Sequence, residues 1–109
     1  AQVVLLPLVG LCARNFKVDK FFLGIDGMDE RGVKSSDHLR IEAAQAMAAQ
    51  ARGIIVLTES VKFHRDASEL IFPYENIRAI YTDADVADSD IERCQALGPE
   101  IVTAAKRRS

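Results

Sequence analysis

The stretch KFFLGID, residues 20–26, places apolar side chains at successive positions, Phe21, Phe22 and Leu23. Successive side chains of a β-strand point to opposite faces of a sheet, so this strand is apolar on both faces. Such strands are typical of a parallel sheet that helices cover on both sides. GIIVLT, residues 53–58, has the same character and is rich in β-branched residues, which favour strands. The two stretches together predict an α/β fold.

The segment between these two strands is predicted to be a loop followed by a helix. GMDERG, residues 27–32, has a glycine at each end, which is typical of a loop. Ser36 or Asp37 is a suitable N-cap, and Gly53 ends the helix. Apolar residues recur at helical spacing and predict its apolar face: Leu39, Ala43, Ala46, Met47 and Ala51.

The remaining segments continue the alternation of strands and helices, with an additional strand at residues 3–6 and a helix at residues 8–16. The downstream elements are a polar connection over ESVKFHRD (59–66), a short strand in ELIFPYENI (69–77) that Pro73 interrupts, a strand over RAIYTD (78–83), a helix from Asp88 or Ser89 to Leu97, and a strand over EIVTA (100–104). This order predicts a mostly parallel sheet with helices on both faces.

Composition excludes several classes of protein. The 109 residues suit a single domain, and the formal net charge of −2 provides no basic face for DNA. The basic residues 106–108 are interpreted as a solvated terminus. Cys12 and Cys94 are too far apart for a metal pair and too few for a disulfide scaffold, which suits a cytoplasmic protein. No apolar run approaches the roughly 20 residues of a membrane span.

Three predicted strands end in polar residues, and ligands of open α/β sheets bind beyond these carboxyl ends. The three strand ends are Asp26-Gly27-Met28-Asp29-Glu30, Thr58-Glu59-Ser60-Val61-Lys62 and Thr82-Asp83. Carboxylates beside a flexible glycine can accept hydrogen bonds from sugar hydroxyls, and a lysine opposite them can hold a phosphate. The alternative is a solvated acidic turn with Lys62 on the surface. The sequence contains no glycine-rich phosphate loop, nucleophile elbow or metal-binding spacing, so no cofactor or metal is expected.

These segments, DKFFLGIDGMDERG (19–32), GIIVLTESVKF (53–63) and RAIYTD (78–83), resemble the C-terminal region of DeoR-family transcriptional repressors. The resemblance implies a sugar-phosphate-sensing domain with a Rossmann-like fold shared with ribose-5-phosphate isomerase, whose catalytic loop contains DGADE where this chain has DGMDE. It implies that Asp26, Gly27, Asp29 and Glu30 line the sugar end of a pocket. It also implies that Lys62, which matches the lysine of the family's SKF run, faces the ligand.

Departures from the family pattern argue against isomerase activity. Ser35 and Ser36 replace two threonines and keep their hydroxyls, whereas Ala44 or Gln45 replaces a lysine of the following helix. Glu59 and Val61 replace an aspartate and a serine before Lys62, and Leu6-Pro7 replaces a glycine-proline pair. The isomerase's glycine-rich, lysine-bearing segment is absent. We therefore expect no catalytic residues and no enzyme activity, with an isomerase-like enzyme fragment as the alternative hypothesis and a structural module that only oligomerises as a third.

Residues 1–109 are accordingly interpreted as the C-terminal part of a DeoR-type effector-binding domain from a longer chain. Few strands precede residue 20, so we expect further chain to complete the sheet edge near Ala1. The expected effector is a phosphorylated sugar, and DNA is expected to be bound only through an N-terminal helix-turn-helix outside these residues. A homo-oligomer is expected, formed through the strand at residues 3–6 or the helix at residues 8–16, because the apolar run Val3-Val4-Leu5-Leu6 favours burial.

Overall fold

A four-stranded parallel sheet is the centre of the structure, a computed structural model that describes residues 20–49 and 51–104. Its strands, in spatial order, are β1 (Lys20–Gly24), β4 (Gly53–Leu57), β6 (Ile77–Thr82) and β7 (Glu100–Thr103). Every neighbouring pair is parallel, with Leu23 opposite Val56 and Val56 opposite Ile80. The predicted α/β fold class is therefore confirmed. The strand at residues 3–6, the helix at residues 8–16 and the basic residues 106–108 lie outside the described residues.

A second sheet, small and antiparallel, lies beside the first and was not predicted. Its strands, in spatial order, are β2 (Gly27–Met28), β3 (Gly32–Ser35) and β5 (Glu69–Pro73). The predicted loop over residues 27–32 is confirmed only for residues 29–31; its bounds were wrong, because Gly27 and Met28 belong to β2 and Gly32 to β3, and the two strands form a hairpin. The predicted short strand before Pro73 is confirmed, and it pairs with β3.

The two described helices are α1 (His38–Ala48) and α2 (Asp88–Ala96). Asp37 caps α1, since its carboxylate accepts a hydrogen bond from the Arg40 N–H at 3.2 Å. The predicted α1 face was wrong: Leu39 and Met47 are 77% and 60% exposed, whereas Ile41 is buried. A helix with apolar residues on two of its sides can bury either side. In this structure the side that carries Ile41 packs against the sheets. Neither described helix has the length and apolar character that a membrane crossing requires.

The core lies on both faces of the parallel sheet. Leu23, Val56 and Ile80 belong to one cluster with residues of α1, α2 and the small sheet. Ile55 and Tyr81 are fully buried on the opposite face. Short 3-10 helices, η1 (Ser60–His64) and η2 (Tyr74–Asn76), follow β4 and β5. Because β1, β4 and β6 are parallel, their polar ends emerge at one edge, and this edge carries the candidate site.

Candidate functional site

Asp26 follows β1 and is held by the chain that returns through β3. Its Oδ2 accepts hydrogen bonds from the Ser35 hydroxyl at 2.7 Å and from the Ser36 N–H at 3.2 Å. Its own N–H donates to the Lys34 carbonyl oxygen at 2.9 Å. The hairpin thus returns two serine residues to the carboxyl end of β1, directly before α1 begins. The serines in place of the family's threonines keep the hydroxyl that this contact requires.

Two cations lie near the Asp26 carboxylate. Arg40, in the first turn of α1, also donates to the Gly24 carbonyl oxygen at 3.1 Å, and Lys62 lies in η1 after β4. The hydrogen bond from Ser35 lowers the pKa of Asp26 most; burial opposes it, and the Ser36 N–H and the charges of Arg40 and Lys62 add to the lowering. Asp26 is therefore a carboxylate at neutral pH. Two separate elements, α1 and η1, each place a positively charged side chain near it.

Gly27 brings β2 against the chain that leaves η1. A Cβ at this position would overlap the carbonyl oxygen of Arg65, which is backbone and cannot swing aside. The adjacent Met28 N–H donates to that same Arg65 oxygen at 2.8 Å. The structure therefore brings Asp26 and Gly27 close to η1, since Lys62 stands three positions before Arg65 and its charge acts on Asp26.

Asp29 and Glu30 lie instead at the turn of the hairpin. The Asp29 carboxylate accepts from the Arg31 N–H at 2.8 Å and pairs with the Lys34 ammonium at 3.0 Å. These contacts, the Arg31 N–H foremost, hold the pKa of Asp29 far below its usual range although burial opposes them. The Tyr74 hydroxyl donates to the Asp29 carbonyl oxygen at 2.6 Å. Glu30 is exposed. The structure thus engages Asp29 in the hairpin itself and leaves Glu30 in solvent.

Lys34 and Asp66 form an ion pair that the sequence analysis did not identify. The Lys34 side chain is only 5% exposed, and its ammonium lies 2.6 Å from Asp66 Oδ1. Hydrogen bonds to Asp66 and then Asp29 raise the pKa of Lys34, so the lysine is charged. No local pattern marks the pair, because its members stand 32 positions apart.

The end of β6 is joined to the end of β4 through Asp83. Its carboxylate accepts hydrogen bonds from the Ser60 N–H at 2.6 Å and from the Ser60 hydroxyl at 2.7 Å. Burial raises the pKa of Asp83, but the hydrogen bonds from Ser60 and nearby N–H groups outweigh it, and the net change is a lowering. Asp83, singled out from the sequence as a strand-end residue, thus anchors the loop that leads into η1 and Lys62.

Two cavities open on the other side of η1, towards α2. One, of about 240 Å³, is lined by Ser60, Val61, His64, Asp85, Val86, Ala87 and Asp90. The other, of about 260 Å³, is lined by Glu59, Ser60, Val61, Asp83 and Asp85. Neither cavity is lined by Asp26 or Lys62. Both cavities are acidic, because their walls carry carboxylates and no lysine or arginine.

Asp90 is the buried carboxylate on this side of η1, and it already contacts His64 and Arg93. Asp90 Oδ2 lies 2.6 Å from His64 Nε2, and Oδ1 lies 2.9 Å from Arg93 Nη1. The Arg93 contact lacks the alignment of a hydrogen bond, so it is an ion pair only. Among the described residues no group of three histidine, cysteine or acidic side chains could hold a metal ion.

A parallel sheet whose strand ends carry charged and hydroxyl side chains is the architecture of α/β domains that bind small molecules. Residues 3–84 match the family described as the DeoR C terminal sensor domain, and the chain belongs to this family. It is 31% identical over 90 residues to an Escherichia coli O157:H7 protein named as an aga operon transcriptional repressor. This alignment covers 82% of the chain and 34% of that relative, so the chain spans about a third of the relative's length. No solved structure is significantly similar to the chain.

Membership of this family decides between the three hypotheses drawn from the sequence. The predicted resemblance to DeoR-family sensors is confirmed. The chain is a regulatory sensor domain and not an enzyme, which removes the isomerase alternative. A sensor domain binds an effector, so the interpretation as a purely structural module is removed as well.

Proposed function

We propose that this domain binds a phosphorylated sugar and that its occupancy controls DNA binding by a transcriptional repressor. Residues 1–109 are then the C-terminal part of the effector-binding domain. The name of the Escherichia coli relative, an aga operon transcriptional repressor, supports the regulatory role. DNA is bound through another region of the repressor, since the net charge of −2 offers no counterpart to the DNA backbone.

The observation that carries the proposal is the unused hydrogen-bonding capacity at Asp26 and Lys62. Both hydrogen bonds to the Asp26 side chain go to Oδ2, so among the described residues Oδ1 has no donor. The Lys62 ammonium forms no ion pair within residues 20–49 and 51–104. A carboxylate oxygen can accept from sugar hydroxyls, and an ammonium nearby can hold a phosphate as a point charge.

The other proposed ligand-binding residues differ in how free they are. Gly27 allows the backbone of Arg65 to lie against β2 beside Asp26, and Glu30 is exposed at the hairpin turn. The Asp29 carboxylate already accepts hydrogen bonds on both of its oxygens, from Arg31 and from Lys34. It is therefore less able than Asp26 to accept a hydrogen bond from a sugar hydroxyl. We expect Asp29→Asn to weaken binding less than Asp26→Asn.

Regulation requires that the ligand bind one conformation of the sensor more tightly than another. Asp26 touches the Ser36 N–H two residues before α1, and Arg40 in the first turn contacts Gly24. A ligand that contacts Asp26 therefore acts directly at the start of α1. This helix is the element through which we propose that occupancy is transmitted.

The test is calorimetry on the complete protein with a set of pentose and hexose phosphates. Asp26→Asn and Lys62→Ala should each weaken binding by roughly ten- to a hundredfold, because each removes a charge-assisted contact. Asp88→Asn and Lys20→Ala are matched controls, since Asp88 is exposed in α2 and Lys20 begins β1 at the opposite end of the strand. Unchanged affinity in both site variants would show that the ligand binds elsewhere.

We further propose that the complete protein is a cytoplasmic homo-oligomer. Repressors that read symmetric operators present paired DNA-binding regions, and closed symmetry is the common way to pair them. The buried free thiol of Cys94 suits a reducing compartment.

A further inference from the structure

Lys34 contacts both chain segments that form the proposed site. Its carbonyl oxygen accepts the Asp26 N–H at 2.9 Å, and its ammonium lies 2.6 Å from Asp66, which stands four positions after Lys62. The segment from Arg65 to Asp66 runs directly out of η1, and the Arg65 N–H donates back to the Lys62 carbonyl at 3.3 Å. One residue of β3 therefore contacts both segments, the Asp26 segment through its backbone carbonyl and the segment after Lys62 through its buried side chain.

Other contacts also hold this region: η1 is held towards α2 by the pair of His64 and the buried Asp90, 2.6 Å apart, and the side-chain contacts that follow Asp66 lie at the surface. Ser68 donates to the Ser36 hydroxyl at 3.3 Å, and Glu69 pairs with the exposed His38 at 3.0 Å. The Lys34–Asp66 pair has one partner that is almost fully buried. Loss of Asp66 would leave this nearly buried ammonium with one carboxylate, Asp29, in place of two, so the contact holds position more strictly than pairs between two exposed side chains do.

The charges around Lys34 also argue against direct ligand binding by this lysine. Two carboxylates, Asp29 and Asp66, already occupy its ammonium at 3.0 and 2.6 Å. Arg31 pairs with Asp29 from the solvent side, so the cluster of two cations and two anions is balanced. A phosphate would have to displace a carboxylate from Lys34, whereas Lys62 has no ion pair to break with any residue that the structure describes.

We infer that Lys34 is a positioning residue: by tying Asp66 to β3 it fixes the separation of Lys62 from Asp26 that a bridging ligand requires. This inference rests on the proposed function. A loosened η1 would still allow Lys62 to contact a phosphate, but the ligand would then have to order the segment on binding, which reduces affinity. The pairing also predicts that Lys34 and Asp66 act as one unit, so their substitutions should not be additive.

The experiment compares Lys34→Met with Arg31→Met in the complete protein. Both substitutions remove a cation from Asp29, but Arg31 is 62% exposed and, among the described residues, forms no ion pair with Asp66. Asp66→Ala is the second test variant, because Asp66 is 77% exposed and its loss leaves the hairpin intact. It keeps the test decisive if Lys34→Met does not fold.

Two quantities are measured, the affinity for the sugar phosphates named above and amide hydrogen exchange. The Met28 N–H donates to the Arg65 carbonyl oxygen, so it reports on the segment in both variants without any ligand, whereas the Ala67 N–H donates to Asp66 Oδ1 at 2.8 Å and reports on the segment only in Lys34→Met. The Ser60 N–H, held by Asp83, is the control amide. Lys34→Met and Asp66→Ala should each accelerate exchange at Met28, and Lys34→Met also at Ala67; each should weaken binding by about fivefold, and the two should show no further loss when combined. Arg31→Met should change neither quantity.

Equal affinity of unaltered protein and Lys34→Met would overturn the inference while leaving the proposed function in place. Unchanged exchange in Asp66→Ala would overturn it as well, because the segment would then be held by other contacts. If the unaltered protein bound none of the sugar phosphates, the proposed function would fail first, and the role of Lys34 in binding would fail with it.

Discussion

Gly27 and Gly32 are residues of the small sheet at which a neighbouring backbone leaves no room for a side chain. A Cβ on Gly27 would overlap the carbonyl oxygen of Arg65, and a Cβ on Gly32 would overlap that of Phe72. Both obstacles are backbone atoms of paired or buried segments, so relief requires a shift of chain rather than a change of rotamer. At the residue scale, the absence of two side chains therefore allows β2 and β3 to lie against their neighbours.

We predict that Gly27→Ala lowers the free energy of unfolding by about 1–3 kcal/mol, because the methyl group forces β2 away from Arg65. The measurement is urea denaturation at neutral pH. Gly53→Ala is the control, since its Cβ would meet only the flexible side chains of Arg78 and Lys20, at 3.3 and 3.4 Å, and we expect a change within about 0.5 kcal/mol. Equal stability of the two variants would contradict the steric interpretation.

At the scale of elements, α1 has two apolar sides of which one is buried. Ile41 and Ala44 are buried against the sheets, whereas Leu39 and Met47 are exposed. We predict that Ile41→Ala lowers the free energy of unfolding by about 2–4 kcal/mol, because it leaves a cavity in the core. Leu39→Ala should change it by less than about 0.5 kcal/mol. Thermal or urea unfolding distinguishes the two, and a larger loss for Leu39 would show that the helix is rotated.

The contact between the ends of β4 and β6 depends on the charge of Asp83. Its pKa is lowered from 3.8, so the stability it contributes is present above about pH 4 and is lost as the pH falls through the lower folded pKa. Asp83→Asn should therefore reduce stability by about 1 kcal/mol at pH 7, and the difference should shrink below pH 4. Denaturation at several pH values measures this. Asp85→Asn, at an exposed position, is the control, and a pH-independent Asp83→Asn loss would contradict a charge effect.

At the scale of the whole molecule, we expect the protein to form a homo-oligomer. The sequence predicts this contact either in the strand at residues 3–6, with its apolar run Val3-Val4-Leu5-Leu6, or in the helix at residues 8–16, and both lie outside the described residues. Leu5→Glu should dissociate the oligomer, because a carboxylate in an apolar interface is strongly unfavourable. Light scattering at tens of micromolar protein measures the mass. Leu39→Glu is the comparison variant, and a strict monomer before any substitution would contradict the prediction.

Local pattern alone determined the principal sheet and the class of the protein. KFFLGID, GIIVLT and RAIYTD are continuous apolar runs, and each forms a strand of the parallel sheet at or within two residues of its predicted position. Asp37 caps α1 as its side-chain chemistry predicts, whereas the prediction that Gly53 ends the helix was wrong, because α1 ends at Ala48 with Ala49 as its C-cap and Gly53 begins β4. The same short motifs also indicated the DeoR sensor family, since their order along the chain is itself a property of the sequence. Each of these conclusions depends on neighbours within a few positions.

Tertiary structure decided what depends on residues that are distant in sequence. GMDERG resembles a loop in isolation, and it becomes a hairpin because β5, far along the chain, pairs with β3. Lys34 is one polar residue in a strand until Asp66 meets its ammonium across 32 positions. The buried side of α1 could not be chosen from periodicity, since both sides are apolar and only contact with the sheets buries Ile41. Hydrogen-bond pairing and burial are properties of the assembled chain, because each requires a partner that local sequence does not specify.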